Sequence, residues 1–597
     1  MGCVARSEAE FARTPGVPVE QFVVAEKHRR PLIPGSWGGR GHRDRSGRLP
    51  VAGGATVCHG RGMPETVDGV VIGGGHHGLV AAAALADAGW DVVVLEAQPE
   101  IGGAVRSAEL FPGYVSDLFS AFYPMVAASP VMRALGLEDH GLRWAHAPIV
   151  LAHPASPADE QGAVLHRDPA DTARGLAAAD PRDGATWLRL VAQWQTIKDP
   201  LLASLFATFP PVRGPLRLLA KIGTGEALRL ARFLALPVQR MAVELFYAEP
   251  GRLLITGLAM HADVPPDAPG SGLLGWLLAM LAQDGGFPVP VGGAGQLSMA
   301  LAARVGAGGA TICVGDAVEH IMVRGGRVAG VRTAGGRELR VRRAVVADVS
   351  APSLYGRLLP SDAVSARLHE DLARFEWDPP VVKLNWALDG RIPWRAAGAR
   401  DAGTVHLGAD TDGTMRWMAE LGVGVIPEHP FALLGQMSTA DPSRSPAGTE
   451  SVWAYTHLPR GMDQDEAAEL LGGRLEDTVE AHAPGFRDLV VGRQLQRPSD
   501  LSAADANLGQ GAVNGGTAQL HQQLIFRPTP GLGRSETPVR GLYLGSAAAH
   551  PGGSVHCACG ANAARAALAD QGWTRLGRRG ARSALLAALY PRGRSAK

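Results

Sequence analysis

Residues 68–97 read "DGVVIGGGHHGLVAAAALADAGWDVVVLEA", and this stretch decides the fold. "DGVVI" is a short buried-strand run that ends at Gly73. "GLVAAAALADAG" follows as a helix of strong formers, with Gly89 as its C-terminal stop. "WDVVVLEA" is a second apolar strand ending on Glu96. Gly73, Gly75 and Gly78 are spaced G-x-G-x-x-G, which is a weak signal by itself in a chain with 77 glycines. Set between strand and helix it becomes a strong one. Gly73 permits the tight turn, Gly75 lets backbone approach a pyrophosphate, and Gly78 lets helix lie against strand. The helix start, with His76 in the turn before it, offers free N–H groups and partial positive charge to phosphates. Glu96, at the end of the second strand, is placed to accept hydrogen bonds from ribose hydroxyls.

The chain of 597 residues is too long for one core, and 46% apolar with 19% charged residues supplies ample core material. Lys plus Arg number 58 against 57 Asp plus Glu, so no whole-protein field draws nucleic acid. Cys3, Cys58, Cys313, Cys557 and Cys559 are odd in number and scattered. That is no disulfide framework, and a reducing, cytoplasmic setting is expected. No apolar run reaches the roughly 18 residues a spanning helix needs. The start "MGCVAR" has the wrong spacing for myristoylation and no apolar leader follows.

Residues 1–62 are rich in Arg, Gly and Pro without a sustained period and read as a disordered extension, with Met63 an alternative start. Residues 171–285 carry helical patterns. "ATICVGDAVEHIMVRGGRVAGVRTAGGRELRVRRAVVAD" is a strand meander turning at Gly325-Gly326 and Gly335-Gly336. "VGGAGQLS" lacks a third glycine and a clean preceding strand, and reads as a turn opening a helix rather than a second nucleotide loop. With one dinucleotide loop, electrons are expected to leave to oxygen or a quinone. The tail 573–597 is basic with an apolar patch; a solvated terminus is the plainer reading, peripheral membrane contact the other.

Beyond Glu96, "AQPEIGGAVRS" brings Gly102, Gly103 and Arg106, a second backbone approach with a cation. Glu96 followed by Gly-Gly and Arg resembles the FAD-binding signature of amine oxidases and phytoene desaturases. "GGFPVPVGGAGQLSMALA", "VEHIMVRGGRVAGV" and "FRPTPGLGRSETPVRGLYLGSAAAHPGGSVHCACGANAA" extend the resemblance in order to about residue 570. It implies an α/β fold: a Rossmann-like FAD-binding domain (63–170, 286–360 and 536–572) with an inserted α+β substrate domain (171–285 and 361–535). It places the backbone of Val318 near the adenine, and Gly552, Gly553, Ser554 and Val555 around the flavin, with His550 the side chain nearest the ring. Ser546 follows Gly545 where amine oxidases commonly have an acid, so the segment is more similar to phytoene desaturases. His77 replaces a frequent Asn, and Ser554 a further glycine.

The activity implied is FAD-dependent desaturation of an apolar polyene or lipid-like substrate. A carotenoid isomerase or ketolase, an amine oxidase, and a non-catalytic FAD-binding protein share the motifs. His550, His556, Cys557 and Cys559 match no zinc spacing; cysteines packed at a helix start are the expected role, and no metal is assigned.

Overall fold

The computed structural model describes residues 65–572, the strands Arg48–Pro50 and Thr56–Cys58, and residues 584–585 and 588–590. The opening stretch forms the expected unit: strand Thr66–Ile72, helix His76–Asp87, strand Val92–Leu95. The two strands pair in parallel, Val70 opposite Val93 and Ile72 opposite Leu95. Both are almost wholly buried, which is why they read as continuous apolar runs rather than alternating ones. Thr311–Cys313 lies parallel on the outer side of Val92–Leu95, and Glu338–Ala347 parallel on the other side of Thr66–Ile72. Leu542–Leu544 then pairs in parallel with the end of Glu338–Ala347. Three distant pieces of chain thus build one sheet around the glycine turn. The meander Val318–Arg324, Arg327–Thr333, Glu338–Ala347 turns at the expected glycine pairs.

A second, seven-stranded sheet runs in the order Val490–Gln496, Val381–Leu388, Glu450–His457, Ala432–Gln436, Ala402–Leu407, Ile149–His153, Ala163–Leu165. Helices between Pro169 and Gly285 pack on it around Trp187, Trp194 and Trp276, which are fully buried. The mixed α/β architecture is therefore the one expected, an FAD-type sheet with a separate α+β layer.

Two boundaries move. Ile149–His153 and Ala163–Leu165, expected in the 63–170 piece of the first domain, pair in the second sheet. A short apolar strand carries no mark of which sheet it joins. Within the 1–62 extension, Thr56–Cys58 pairs in parallel with Thr311–Cys313, and Arg48–Pro50 lies antiparallel to it. Three-residue strands among glycines are below the reach of periodicity, so the extension adds an edge to the sheet. The rest of that extension, Met63 and most of the 573–597 tail lie outside the described residues. Tyr590 is an exception: it is buried, its hydroxyl bonded to Thr529 Oγ1 (2.9 Å) and donating to the Pro530 carbonyl. Among the described residues no helix is long and apolar enough to cross a membrane.

Candidate active site

A cavity of about 750 Å³ runs between the two sheets, within the roughly 300–1,000 Å³ usual for ligand sites. At one end it is lined by Gly73, Gly75, His76, Glu96, Gly103 and Val318, all assigned from sequence to a dinucleotide. Ser554 and Val555 line it as well. Gly78, Gly102, Arg106, Gly545, Gly552, Gly553 and His550 do not form its wall; they shape what lies behind it.

Gly73 turns out of the strand at φ +98°, a conformation side chains resist. A β-carbon on Gly78 would fall on the Gly73 carbonyl oxygen, so only glycine lets the helix start this close to the strand end. Glu96 Oε2 accepts from the Gly74 N–H (2.6 Å) and Oε1 from the Gln98 N–H (2.8 Å), which aims the carboxylate along the cavity edge. Burial raises its pKa. Gly102 N–H donates to the Gly74 carbonyl (2.9 Å) and clamps the second glycine pair under the first. Arg106 is spent on structure: it donates to the Gly103 carbonyl (2.9 Å) and the Ala504 carbonyl (2.9 Å). It acts on the cavity through the loop it holds.

By contrast the helix Ala294–Ala307 has a saturated N-terminus. Gly292 N–H donates to Asp441 Oδ2 (2.7 Å), Ala294 N–H to Asp117 Oδ1 (2.7 Å) and Gly295 N–H to Ser107 Oγ (2.9 Å). No donor is left for a phosphate, which agrees with "VGGAGQLS" being a helix-opening turn. The helix His76–Asp87 has no side-chain cap on its N-cap residue Gly75.

Sequence reasoning missed Asp348, at the end of Glu338–Ala347. Its carboxylate accepts from Gly78 N–H (2.7 Å), and its pKa is pushed up to about 8, mainly by burial. It lines the cavity under the glycine loop. Near pH 7 it therefore keeps its proton and presents no charge to a pyrophosphate. Above about pH 8 it becomes an anion, which a phosphate held by the glycine turn would face. FAD affinity should then fall by up to about tenfold per pH unit, and Asp348→Asn should flatten the profile. Equilibrium titration of apoprotein with FAD from pH 6.5 to 9.5 checks this; a flat wild-type profile contradicts it.

Ser554 has φ +81°, which explains why a glycine is expected there: the turn needs a left-handed residue. Ser554→Gly should stabilise the fold by roughly 0.5–1 kcal/mol, read from the thermal midpoint. His550, the sequence candidate for the ring, stands behind the wall with its ring 5.5 Å from that of Phe209. Burial lowers its pKa to about 4, and neither ring nitrogen has a partner. His77, His556 and Cys559 bring ligand atoms within 4.8 Å of one another. His556, however, accepts from Ala558 N–H at Nδ1 (3.0 Å) and meets the Gly552 carbonyl at Nε2 (3.2 Å). The Cys559 thiol points at the Ala549 and Gly552 carbonyls, and burial pushes its pKa up to about 12. These bonds engage His556 and Cys559 in hydrogen-bonded packing.

The far end of the cavity belongs to the second sheet. Lys383 projects from the fully buried strand Val381–Leu388, its Nζ donating to the Asp117 carbonyl and lying 5.7 Å from the Trp453 ring centroid. Burial pulls its pKa down to about 7. Trp453 and Tyr455 stack at 5.9 Å, and Phe122 meets Trp453 at 6.1 Å. All four line the cavity, as does His261, whose Nε2 lies 2.9 Å from His406 Nε2. A lone lysine inside the apolar run "PPVVKLNWAL" was the available signal.

A glycine turn opening a helix, a buried carboxylate at the end of the second strand and a long cavity between two sheets are the features of a dinucleotide-binding oxidoreductase. Residues 78–559 match the model for flavin-containing amine oxidoreductases, and the chain belongs to that family: it is an FAD-dependent oxidoreductase. It is 30% identical over 573 residues to pyridine nucleotide-disulfide oxidoreductase domain-containing protein 2 of Rattus norvegicus, covering 87% of this chain and 96% of that one. It is 23% identical to one of the subunits of limonene dehydrogenase from Castellaniella defragrans (85% of this chain, 96% of the relative). It is 26% identical to the zeta-carotene-forming phytoene desaturase of Myxococcus xanthus (81% and 90%).

Proposed function

We propose that the enzyme dehydrogenates a carbon–carbon bond of an apolar polyene or lipid-like substrate, with oxygen or a quinone as electron acceptor. The observation that carries this reading is the far end of the cavity: Phe122, Val381, Trp453 and Tyr455 surround Lys383, with no carboxylate among them. An ammonium substrate would find aromatic faces there, but also Lys383 over one of them and no carboxylate among these lining residues. An apolar chain meets no such conflict. Two relatives whose names specify terpenoid substrates, limonene and phytoene, support the same class. Leu520, Leu524, Ile525 and Phe526 are exposed apolar residues close in sequence to Val513, which lines the cavity. An exposed apolar patch of this kind suits contact with a lipid surface.

In this reading Glu96 holds the ribose hydroxyls of FAD, the Gly73–Gly75 loop and the helix start at His76 hold the pyrophosphate, and Ser554 and Val555 face the ring. Bound FAD supplies a hydride acceptor. Lys383, half deprotonated near pH 7, takes the proton from the neighbouring carbon at Nζ. Trp453, Tyr455 and Phe122 orient the chain and keep water out.

The test is product mass after incubation of holoenzyme with phytoene in lipid vesicles under air or with a quinone. Loss of two hydrogens supports desaturation. An unchanged mass with altered geometry indicates an isomerase, and a gain of oxygen a ketolase. No change with phytoene, limonene or an unsaturated lipid removes the proposal.

A further inference from the structure

Arg527 carries no mark in the sequence, and the reaction just described does not use it. It is fully buried. Its guanidinium donates to five backbone carbonyls: Ala547 (2.9 Å), Thr517 (3.0 Å), Asn514 (3.1 Å), Gly515 (3.1 Å) and Gly516 (3.3 Å). No carboxylate pairs with it among the described residues. The acid that acts on it is Asp378, whose pKa burial and Asp263 push up to about 7, and which accepts from Asn514 N–H (2.6 Å). A buried cation held by dipoles alone is costly, and an apolar side chain would fill the same space at less expense.

What the arrangement achieves lies on the other side of the loop. Asn514, Gly515 and Ala547 line the cavity, and their carbonyl oxygens are turned back toward the guanidinium. The same wall continues through Ser554 and Val555. It abuts the phosphate-loop helix, because Gly560 lies against the His77 carbonyl and the His77 and His556 rings are 5.3 Å apart. A dinucleotide pinned at Glu96 and Gly73–Gly75 meets this wall with the half that follows the pyrophosphate, the flavin ring.

We propose that Arg527 is a positioning cation that makes this wall electropositive and stabilises negative charge on the flavin ring. This rests on the ring lying between the wall and Lys383, and deepens that reading by assigning the electrostatics of electron acceptance. Reduction by hydride leaves an extra electron pair on the ring, and a fixed positive field lowers the free energy of that form.

Sulfite is a probe that needs no substrate. Its sulfur lone pair forms a bond to flavin N5 while an electron pair moves to the N1–C2=O edge, so the adduct carries negative charge and bleaches the flavin. FAD-loaded wild type should bind sulfite. Arg527→Gln should weaken binding about tenfold or more and lower the two-electron potential by about 30 mV per tenfold, while Arg527→Lys should stay near wild type. Because Arg527 also ties down its loop, Gln523→Glu is the second variant. Gln523 Oε1 and Arg527 Cζ both lie within 3.4 Å of where a β-carbon on Gly552 would stand, so the change sets a carboxylate beside the guanidinium and leaves it in place. It too should weaken sulfite binding several-fold with FAD retained.

Holoprotein that ignores sulfite, or a FAD-retaining Gln523→Glu variant that binds it as wild type does, overturns the proposal. Strong sulfite binding in a protein that oxidises no polyene would sink the substrate reading and leave this one standing.

Discussion

Gly560→Val should yield protein that purifies without flavin and melts well below wild type. Gly560 sits in the first turn of the helix Ala558–Ala569, where a β-carbon would coincide with the His77 carbonyl oxygen. The obstacle is backbone, so no rotamer change relieves it and the two helices must separate. Overpacking of this kind costs about 3 kcal/mol or more. The displaced helix begins at His76, directly after the glycine turn assigned to the phosphates, so the cofactor should be lost with the packing. Absorbance and thermal melting of the purified variant are the readouts. A flavin-loaded variant with a wild-type melting point would show that the helix contact does not position the loop.

Lys383→Met should lower substrate-dependent turnover by about 10²- to 10⁴-fold while FAD stays bound. Methionine matches the length of the lysine stem and removes a buried charge, so little loss of stability is expected. The hydrogen bond to the Asp117 carbonyl goes, but Asp117 remains tied by its carboxylate to Arg444 (3.1 Å) and to Ala294 N–H (2.7 Å). In wild type the pH dependence has a definite sign. Burial lowers the ammonium pKa to about 7, so the amine is protonated and unable to accept below that pH. Turnover should rise through pH 7 and level off above it. The methionine variant should lose that rise. Turnover within threefold of wild type, with the same pH profile, would remove Lys383 from the chemistry.

The geometry of the half of the site assigned to the nucleotide was legible because it is local. Strand, glycine turn, helix and Glu96 fall within thirty residues of chain, and each leaves a mark on periodicity or spacing. Gly102 and Gly103 follow within a few residues more. The other half is assembled from single residues on separate strands. Asp348 ends one strand, Lys383 interrupts another, and Arg527 precedes a proline in a loop, with nothing in the sequence to say that they approach one cavity. His550 illustrates the converse: its neighbours Ser554 and Val555 reach the wall, while the turn carries its ring to the side of Phe209. A resemblance along the chain located that turn but not the direction of each side chain within it. The strands Ile149–His153 and Thr56–Cys58 were misassigned for a related reason, since strand pairing is decided by the partner and not by the strand.

The most direct test is anaerobic mixing of the FAD-loaded protein with phytoene in vesicles, with putrescine and a monoamine in parallel, while flavin absorbance is followed. The polyene should bleach the flavin and the amines should leave it oxidised. Bleaching by an amine alone would contradict the assignment of the Lys383 end of the cavity to an apolar substrate.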